Sequence, residues 1–274
     1  MPGAGPAWFA GGPPGQSGRV VSYGPEQRVH VPALRAGWLT QTFVHWAYPP
    51  AEVQRLVPDG LVVDTYEGAA WVSLTPFLMA GVRPSVLPGR MPGLPTFPET
   101  NLRTYVRAPD GRDGLWFLSL EVSFPAMLAA RAIGAPYHVG RLGVSRDRGR
   151  GVVTYTGSRR GAGPSYRLTV RPGGAVRRPS PRDVWLTSRW RAFTRRLGLV
   201  WETPVEHEPW PLREVAVDVL EQSLTRAVGL PPPGTEPVAH FSDGVRQVRM
   251  GGSRPVHRVH GAERRARLWA AVGR

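Results

Sequence analysis

The pattern of apolar and polar positions predicts short alternating segments for most of the chain and helical periodicity in only a few places. The stretch Pro98-Glu99-Thr100-Asn101-Leu102-Arg103-Thr104-Tyr105-Val106-Arg107 alternates with a period of two. As a strand it puts Glu99, Asn101, Arg103, Tyr105 and Arg107 on one face and Thr100, Leu102, Thr104 and Val106 on the other. Same-face neighbours on a strand are about 6.6 Å apart. A carboxylate, an amide, a guanidinium and a phenol in succession therefore suit a small-molecule site, and equally the wet face of an antiparallel sheet.

Other strands are expected at Trp38 to Trp46, at Leu61 to Tyr66 returning as Ala69 to Met79 around Glu67-Gly68, and at Leu115 to Val122. Val152 to Thr156 and Tyr166 to Arg171 alternate as well, with Tyr166, Leu168 and Val170 inward, and Trp201 to Trp210 reads as a strand. Val238 to Met250 predicts a last hairpin. A turn or two of helix is expected at Ala51 to Leu56, and a helix-favouring run at Phe124 to Ile133 is stopped by Gly134. Ser180-Pro181-Arg182-Asp183 is a capping box opening a helix that would bury Leu186, Trp190, Phe193 and Leu197. Pro211 to Val228 predicts a second amphipathic helix through Leu212, Ala216, Val219, Leu220 and Leu224. Residues Gly81 to Pro98, with five Pro and three Gly, predict a long irregular loop leading into the Glu99 strand, a candidate lid. Strands with few helices between them predict an α+β architecture dominated by antiparallel sheet.

Composition changes the picture at four points. The 274 residues, 41% hydrophobic, suffice for one large domain, expected over residues 21–250. It is flanked by a Gly/Pro-rich disordered tail over 1–20 and an Arg-rich extension over 251–274. No run of 18 apolar residues and no secretory signal are present, so a cytoplasmic protein without membrane insertion is expected. Cys is absent, which removes disulfides and thiolate chemistry. Lys is absent too, which removes Schiff-base chemistry by a lysine amine. The formal net charge of +15 is concentrated between Arg141 and Arg196, where fifteen Arg face only Asp147 and Asp183. That segment supports an alternative reading, an interaction protein binding nucleic acid or an anionic surface. Against it stand Trp185, Trp190 and Phe193, which fall on the buried side of the expected helix and leave no stacking platform.

No glycine-rich phosphate loop, Gly-x-Ser-x-Gly elbow or His-Glu-x-x-His motif occurs. His257 and His260 have His-x-x-His spacing without a third ligand nearby, and His207 between Glu206 and Glu208 reads as a hydrogen-bonded structural histidine. No metal or cofactor is expected.

Several ordered stretches carry a family resemblance: His45-Trp46 with Pro49-Pro50, Val57-Pro-Asp-Gly-Leu61, Trp71-Val-Ser-Leu-Thr-Pro-Phe77, Glu99 to Val106, Gly114-Leu-Trp-Phe-Leu-Ser119, Arg131 with Pro136-Tyr137, and His207-Glu-Pro-Trp210. Together, over roughly residues 36–250, they resemble the YqjF-like family of uncharacterised bacterial proteins, distantly related to acetoacetate decarboxylase. The resemblance implies a β-barrel-like α+β fold with an internal pocket. It aligns Arg131, Gly134 and Pro136 with the decarboxylase motif and puts Tyr137-His138 where the reactive lysines would stand, with Glu99 matching a pocket glutamate. Imine-forming decarboxylation is thereby excluded. The expected function is a pocket for an anionic carboxylic-acid or carbonyl ligand, binding-only or catalytic. Glu99, His138 and Tyr137 are the candidate acid, base and polarising groups; Asn101, Arg103, Tyr105 and Arg131 are the candidate binding groups. Arg103 is expected to hold Glu99 ionised, leaving His138 as the proton-transfer group.

Overall fold

The computed structural model describes residues 21–84, 94–161 and 163–256. The expected N-terminal tail, half of the expected lid (residues 85–93), His257 and His260, and the end of the C-terminal extension lie outside the described residues.

The chain builds one sheet from β1 (Leu34–Tyr48), β2 (Val62–Val63), β3 (Thr65–Tyr66), β4 (Ala69–Pro84), β5 (Phe97–Arg107), β6 (Asp113–Val122), β7 (Tyr137–Asp147), β8 (Val152–Arg159), β9 (Ser165–Ala175), β10 (Arg191–Arg196), β11 (Leu199–Glu206), β12 (Leu212–Gln222), β13 (Val238–Met250) and β14 (Arg254–Pro255). The helices are short: α1 (Pro50–Gln54), a 3-10 helix (Pro125–Ile133), α2 (Pro181–Thr187) and α3 (Leu224–Ala227).

The pairings close the sheet on itself twice. Strands β1, β4, β5, β6, β10, β11 and β13 form a ring, because β11 pairs with β13 and β6 pairs with both β5 and β10. Strands β6, β7, β8, β9, β12 and β13 continue around the other side of the same wall, giving a second ring. The wall of β13, β1, β4, β5 and β6 is shared, so its strands bury both faces, and a period of two sends alternate side chains into different interiors. Leu102 and Val106 face a core with Val72, Tyr155, Leu168 and Phe241. Phe43, Phe77, Leu120, Tyr137, Trp210 and Val248 belong to the other interior.

Four expected elements are corrected. The helix opened by Ser180 does form its capping box, but it ends at Thr187 and Arg191–Arg196 is β10. Strand β10 lies between β11 and β6 with Ala192, Phe193 and Thr194 buried in succession; of the expected stripe only Phe193 falls on it, Leu186 stays in α2, and Leu197 is 88% exposed in the turn that follows. The helix expected over Pro211 to Val228 is strand β12 followed by the single turn α3. A β-bulge between Val217 and Val219 shifts the alternation by one residue and turns Val215, Val217 and Leu220 to the same side, a spacing that imitates an amphipathic helix. The hairpin expected over Val238 to Met250 is one strand. Its Asp243-Gly244 signal makes no turn: Gly244 stays paired opposite Leu39 with φ 122°, and a Cβ there would meet the Trp38 carbonyl oxygen at 2.3 Å. The irregular loop expected over Gly81 to Pro98 is shorter than read, since β4 runs to Pro84 and β5 starts at Phe97.

Candidate functional site

The seven-strand ring encloses a cavity of about 180 Å³. Strand β5 supplies Glu99, Asn101 and Arg103 to its wall, as the alternation of the sequence demands, and the start of β7 supplies Tyr137. The 3-10 helix closes one side with Met127, Ala130 and Ile133. Gly134 ends that helix at φ 88°, where a Cβ would lie 2.3 Å from the Arg195 carbonyl oxygen, and so lets Pro136 and Tyr137 turn directly into β7.

Glu99 is 3% exposed, and the Tyr137 hydroxyl donates to its Oε2 at 3.1 Å. Burial pushes the Glu99 carboxyl up to about 8, with the Tyr137 hydrogen bond only partly opposing it. Burial likewise pushes the Tyr137 phenol well above its ordinary value, and the Glu99 charge adds to this. Arg103 does not hold Glu99 ionised. Four residues on an extended strand separate their Cα atoms by roughly 13 Å, and desolvation decides the Glu99 equilibrium instead.

Three guanidinium groups line the cavity, and their partners distinguish them. Arg189 is paired with Asp113 at 2.5 Å and Asp64 at 3.4 Å, and Arg191 is paired with Glu26 and Glu202. Arg103 is 8% exposed and has no carboxylate partner among the described residues; its Cζ lies 5.5 Å from the Phe43 ring centroid. Burial lowers its pKa, with the neighbouring Tyr105 phenol opposing. Arg103 Nε, Asn101 Oδ1, Thr194 Oγ1 and Trp38 Nε1 are buried without hydrogen-bond partners among the described residues, and all four side chains line the cavity. Buried polar groups are ordinarily paired, so this concentration sets the cavity wall apart from the apolar cores.

The remaining sequence candidates do not share the cavity. Tyr105 lies behind it: its hydroxyl donates to the Leu186 carbonyl at 2.5 Å and meets Ser73 Oγ at 2.7 Å and His45 Nδ1 at 3.2 Å. His138 follows Tyr137 on β7 and so faces the other side of the sheet. It pairs in register with Glu121, which is held by Arg159 at 2.6 Å, whereas Tyr137 pairs with Leu120 of the cavity wall. Glu99 pairs with Val122 and Thr100 with Glu121, so Glu99 and His138 occupy opposite faces, and the expected convergence of the two is corrected. Burial, then the nearby Arg159 charge, lowers the His138 pKa. Arg131 is exposed on the 3-10 helix, whose cavity side is apolar.

His207 is a residue of this site that sequence reasoning set aside. It is buried in the cavity wall, edge-on to Trp38 and Trp210 and tilted against Trp190. Its Nδ1 lies 2.5 Å from the Glu208 carbonyl oxygen. A carbonyl only accepts, so Nδ1 carries the proton and Nε2 keeps its lone pair. Burial lowers its pKa to about 4, so the ring is neutral near pH 7. Arg189 is buried in the same wall, in the link between the early end of α2 at Thr187 and β10.

The Arg-rich segment does not form one exposed surface. Arg159, Arg189 and Arg191 turn inward to carboxylates, while Arg146 and Arg171 pair with Asp243 and Asp218. Among the described residues no group of three His, Cys, Asp or Glu is placed to hold a metal ion, and no helix is long and apolar enough to cross a membrane.

Residues 35–246 match the family DUF2071, uncharacterized conserved protein. The chain is 30% identical to the uncharacterized protein YqjF of Bacillus subtilis (strain 168) over 214 residues, 76% of this chain and 87% of that protein. Among solved structures it is similar to an acetoacetate decarboxylase-like enzyme from Sphingomonas wittichii RW1, with TM-score 0.58 and 18% identity over 84% of this chain and 95% of that one. It is also similar to the enduracididine biosynthesis enzyme MppR complexed with pyruvate, with TM-score 0.56 and 16% identity over 85% of this chain and 93% of that one. At these identities the structural likeness shows a shared fold. The sheet that closes around Glu99, Arg103 and Tyr137 is thus acetoacetate decarboxylase-like, and the chain belongs to the DUF2071 family.

Proposed function

We propose that the cavity binds a small carboxylic acid, with Arg103 as the carboxylate anchor and the Glu99–Tyr137 pair as the proton-handling group. The observation that carries this reading is Arg103: a buried guanidinium, without a carboxylate partner among the described residues, in the wall of a cavity that also holds unpaired polar atoms of Asn101, Thr194 and Trp38. Burying an unpaired charge is costly, and an anionic ligand forming a bidentate pair with the guanidinium offsets that cost. Glu99, with its pKa raised to about 8, is mostly protonated at pH 7 and so does not repel an anion in the same cavity. A neutral carboxyl group can donate a hydrogen bond or a proton to a ligand carbonyl, and after losing the proton it can take one back.

The relatives support the ligand class by analogy. MppR was solved with pyruvate, and this chain shares its fold. The imine route is closed, since the chain has no Lys. Any turnover therefore rests on acid–base catalysis at Glu99 on a substrate whose carbonyl is polarised by hydrogen bonding. Calorimetric titration with pyruvate, acetoacetate and butyrate tests the reading. Binding that is lost in Arg103→Met supports it, and absence of binding by all three to the folded wild-type protein refutes it.

A further inference from the structure

The cavity has a direction. Arg103, Arg189, Thr187 and Thr194 gather at one end and are all buried, with exposures of 8%, 4%, 3% and 7%. The strand register fixes the other end. Phe77 pairs with Glu99 and Met79 with Phe97, so Val82 lies beyond Glu99, away from Arg103. Leu34 pairs with both Pro84 and Met250, which brings Leu34, Val82 and Met250 to that end. Leu34, Val82 and Met250 are apolar, and Met127 and Ile133 of the 3-10 helix add apolar lining to the cavity. The cavity is therefore polar at the Arg103 end and apolar at the other.

This order is the reverse of what a small, fully polar acid needs. We infer that the ligand is an amphipathic monocarboxylate that lies along the cavity, its carboxylate on Arg103 and an unbranched or branched hydrocarbon tail against Val82, Met127, Ile133 and Met250. The inference rests on the carboxylate reading of Arg103 and adds the tail. A cavity of 150 Å³ lined by aliphatic and aromatic side chains holds benzene, so about 180 Å³ holds a molecule of roughly six to ten heavy atoms. Hexanoate has this size. A second carboxylate on the ligand would come to rest among these apolar residues without a partner, so dicarboxylates are rejected.

The experiment is calorimetric titration of the full chain with acetate, butyrate, hexanoate, succinate and 1-hexanol. Each buried methylene contributes about 0.8 kcal/mol, so affinity should rise about fourfold per carbon from butyrate to hexanoate. Ile133→Ser, a change in the apolar lining, should remove part of that increment and leave acetate binding unchanged. Equal affinity for acetate and hexanoate, or tighter binding of succinate than of butyrate, would overturn the tail inference while the carboxylate reading stands. If 1-hexanol binds as tightly as hexanoate, or no acid binds, the carboxylate reading falls and takes this inference with it.

Discussion

The Tyr137 hydroxyl donates to Oε2 of Glu99 across 3.1 Å, joining two strands that are not neighbours in the sheet through the wall of one cavity. This hydrogen bond favours the ionised carboxylate and opposes the burial that raises its pKa. In Tyr137→Phe the Glu99 pKa should therefore climb further above about 8. Following the protonated carboxyl stretch by infrared titration checks it, and a downward shift contradicts the assignment.

Glu99 also makes stability depend on pH. Its folded pKa of about 8 exceeds the ordinary value of 4.5, so between these the folded state binds more protons than the unfolded one. Stability from this group is fully present below about 4.5 and is lost as pH rises towards 8. The slope is at most about 1.4 kcal/mol per pH unit. Glu99→Gln should flatten the pH dependence in that window, and urea unfolding from pH 5 to 9 measures it.

His207 acts in the opposite direction. Its folded pKa of about 4 lies below 6.5, so the unfolded state binds more protons between the two values. Stability is then complete above 6.5 and is lost as pH falls through 4. His207→Gln, which keeps a polar group near the Glu208 carbonyl, should weaken the acid-induced loss. An unchanged acid limb in the same unfolding series would contradict this.

The paired and unpaired arginines should respond differently to removal. Arg189→Ala leaves Asp113 without its cation, while Asp64 keeps Arg107, and should cost about 3 to 5 kcal/mol of stability. Arg103→Met strands no carboxylate among the described residues, and its loss of stability should stay below about 1 kcal/mol. In ligand binding the order inverts: Arg103→Met should lose about 1.5 to 3 kcal/mol, the scale of a charged hydrogen bond. Chemical denaturation and calorimetry on the two variants separate these outcomes.

Duplex DNA should bind weakly, without sequence preference, and be released between roughly 50 and 200 mM salt. The motivation is that several arginines of the basic segment are spent on internal ion pairs. A fluorescent duplex titrated at several salt concentrations tests it. Sequence preference surviving at the upper salt value would favour an interaction role.

The period of two between Glu99 and Arg103 determined by itself that these side chains share a face, and the absence of Lys and Cys determined which chemistry is closed. The mainly β character was legible too, because alternation is a local property. Tertiary structure decided the rest. Strand β10 is buried on both faces and β12 carries a bulge, so both hide their period and read as helices. Strand β7 enters the sheet beside β6 with Tyr137 inward, and alternation alone then sends His138 to the far side. Which charge dominates at Glu99 was likewise beyond the sequence. Desolvation depends on how completely a ring of strands closes around a carboxyl, and that closure is made by residues more than a hundred positions away, such as Val205 on Met250.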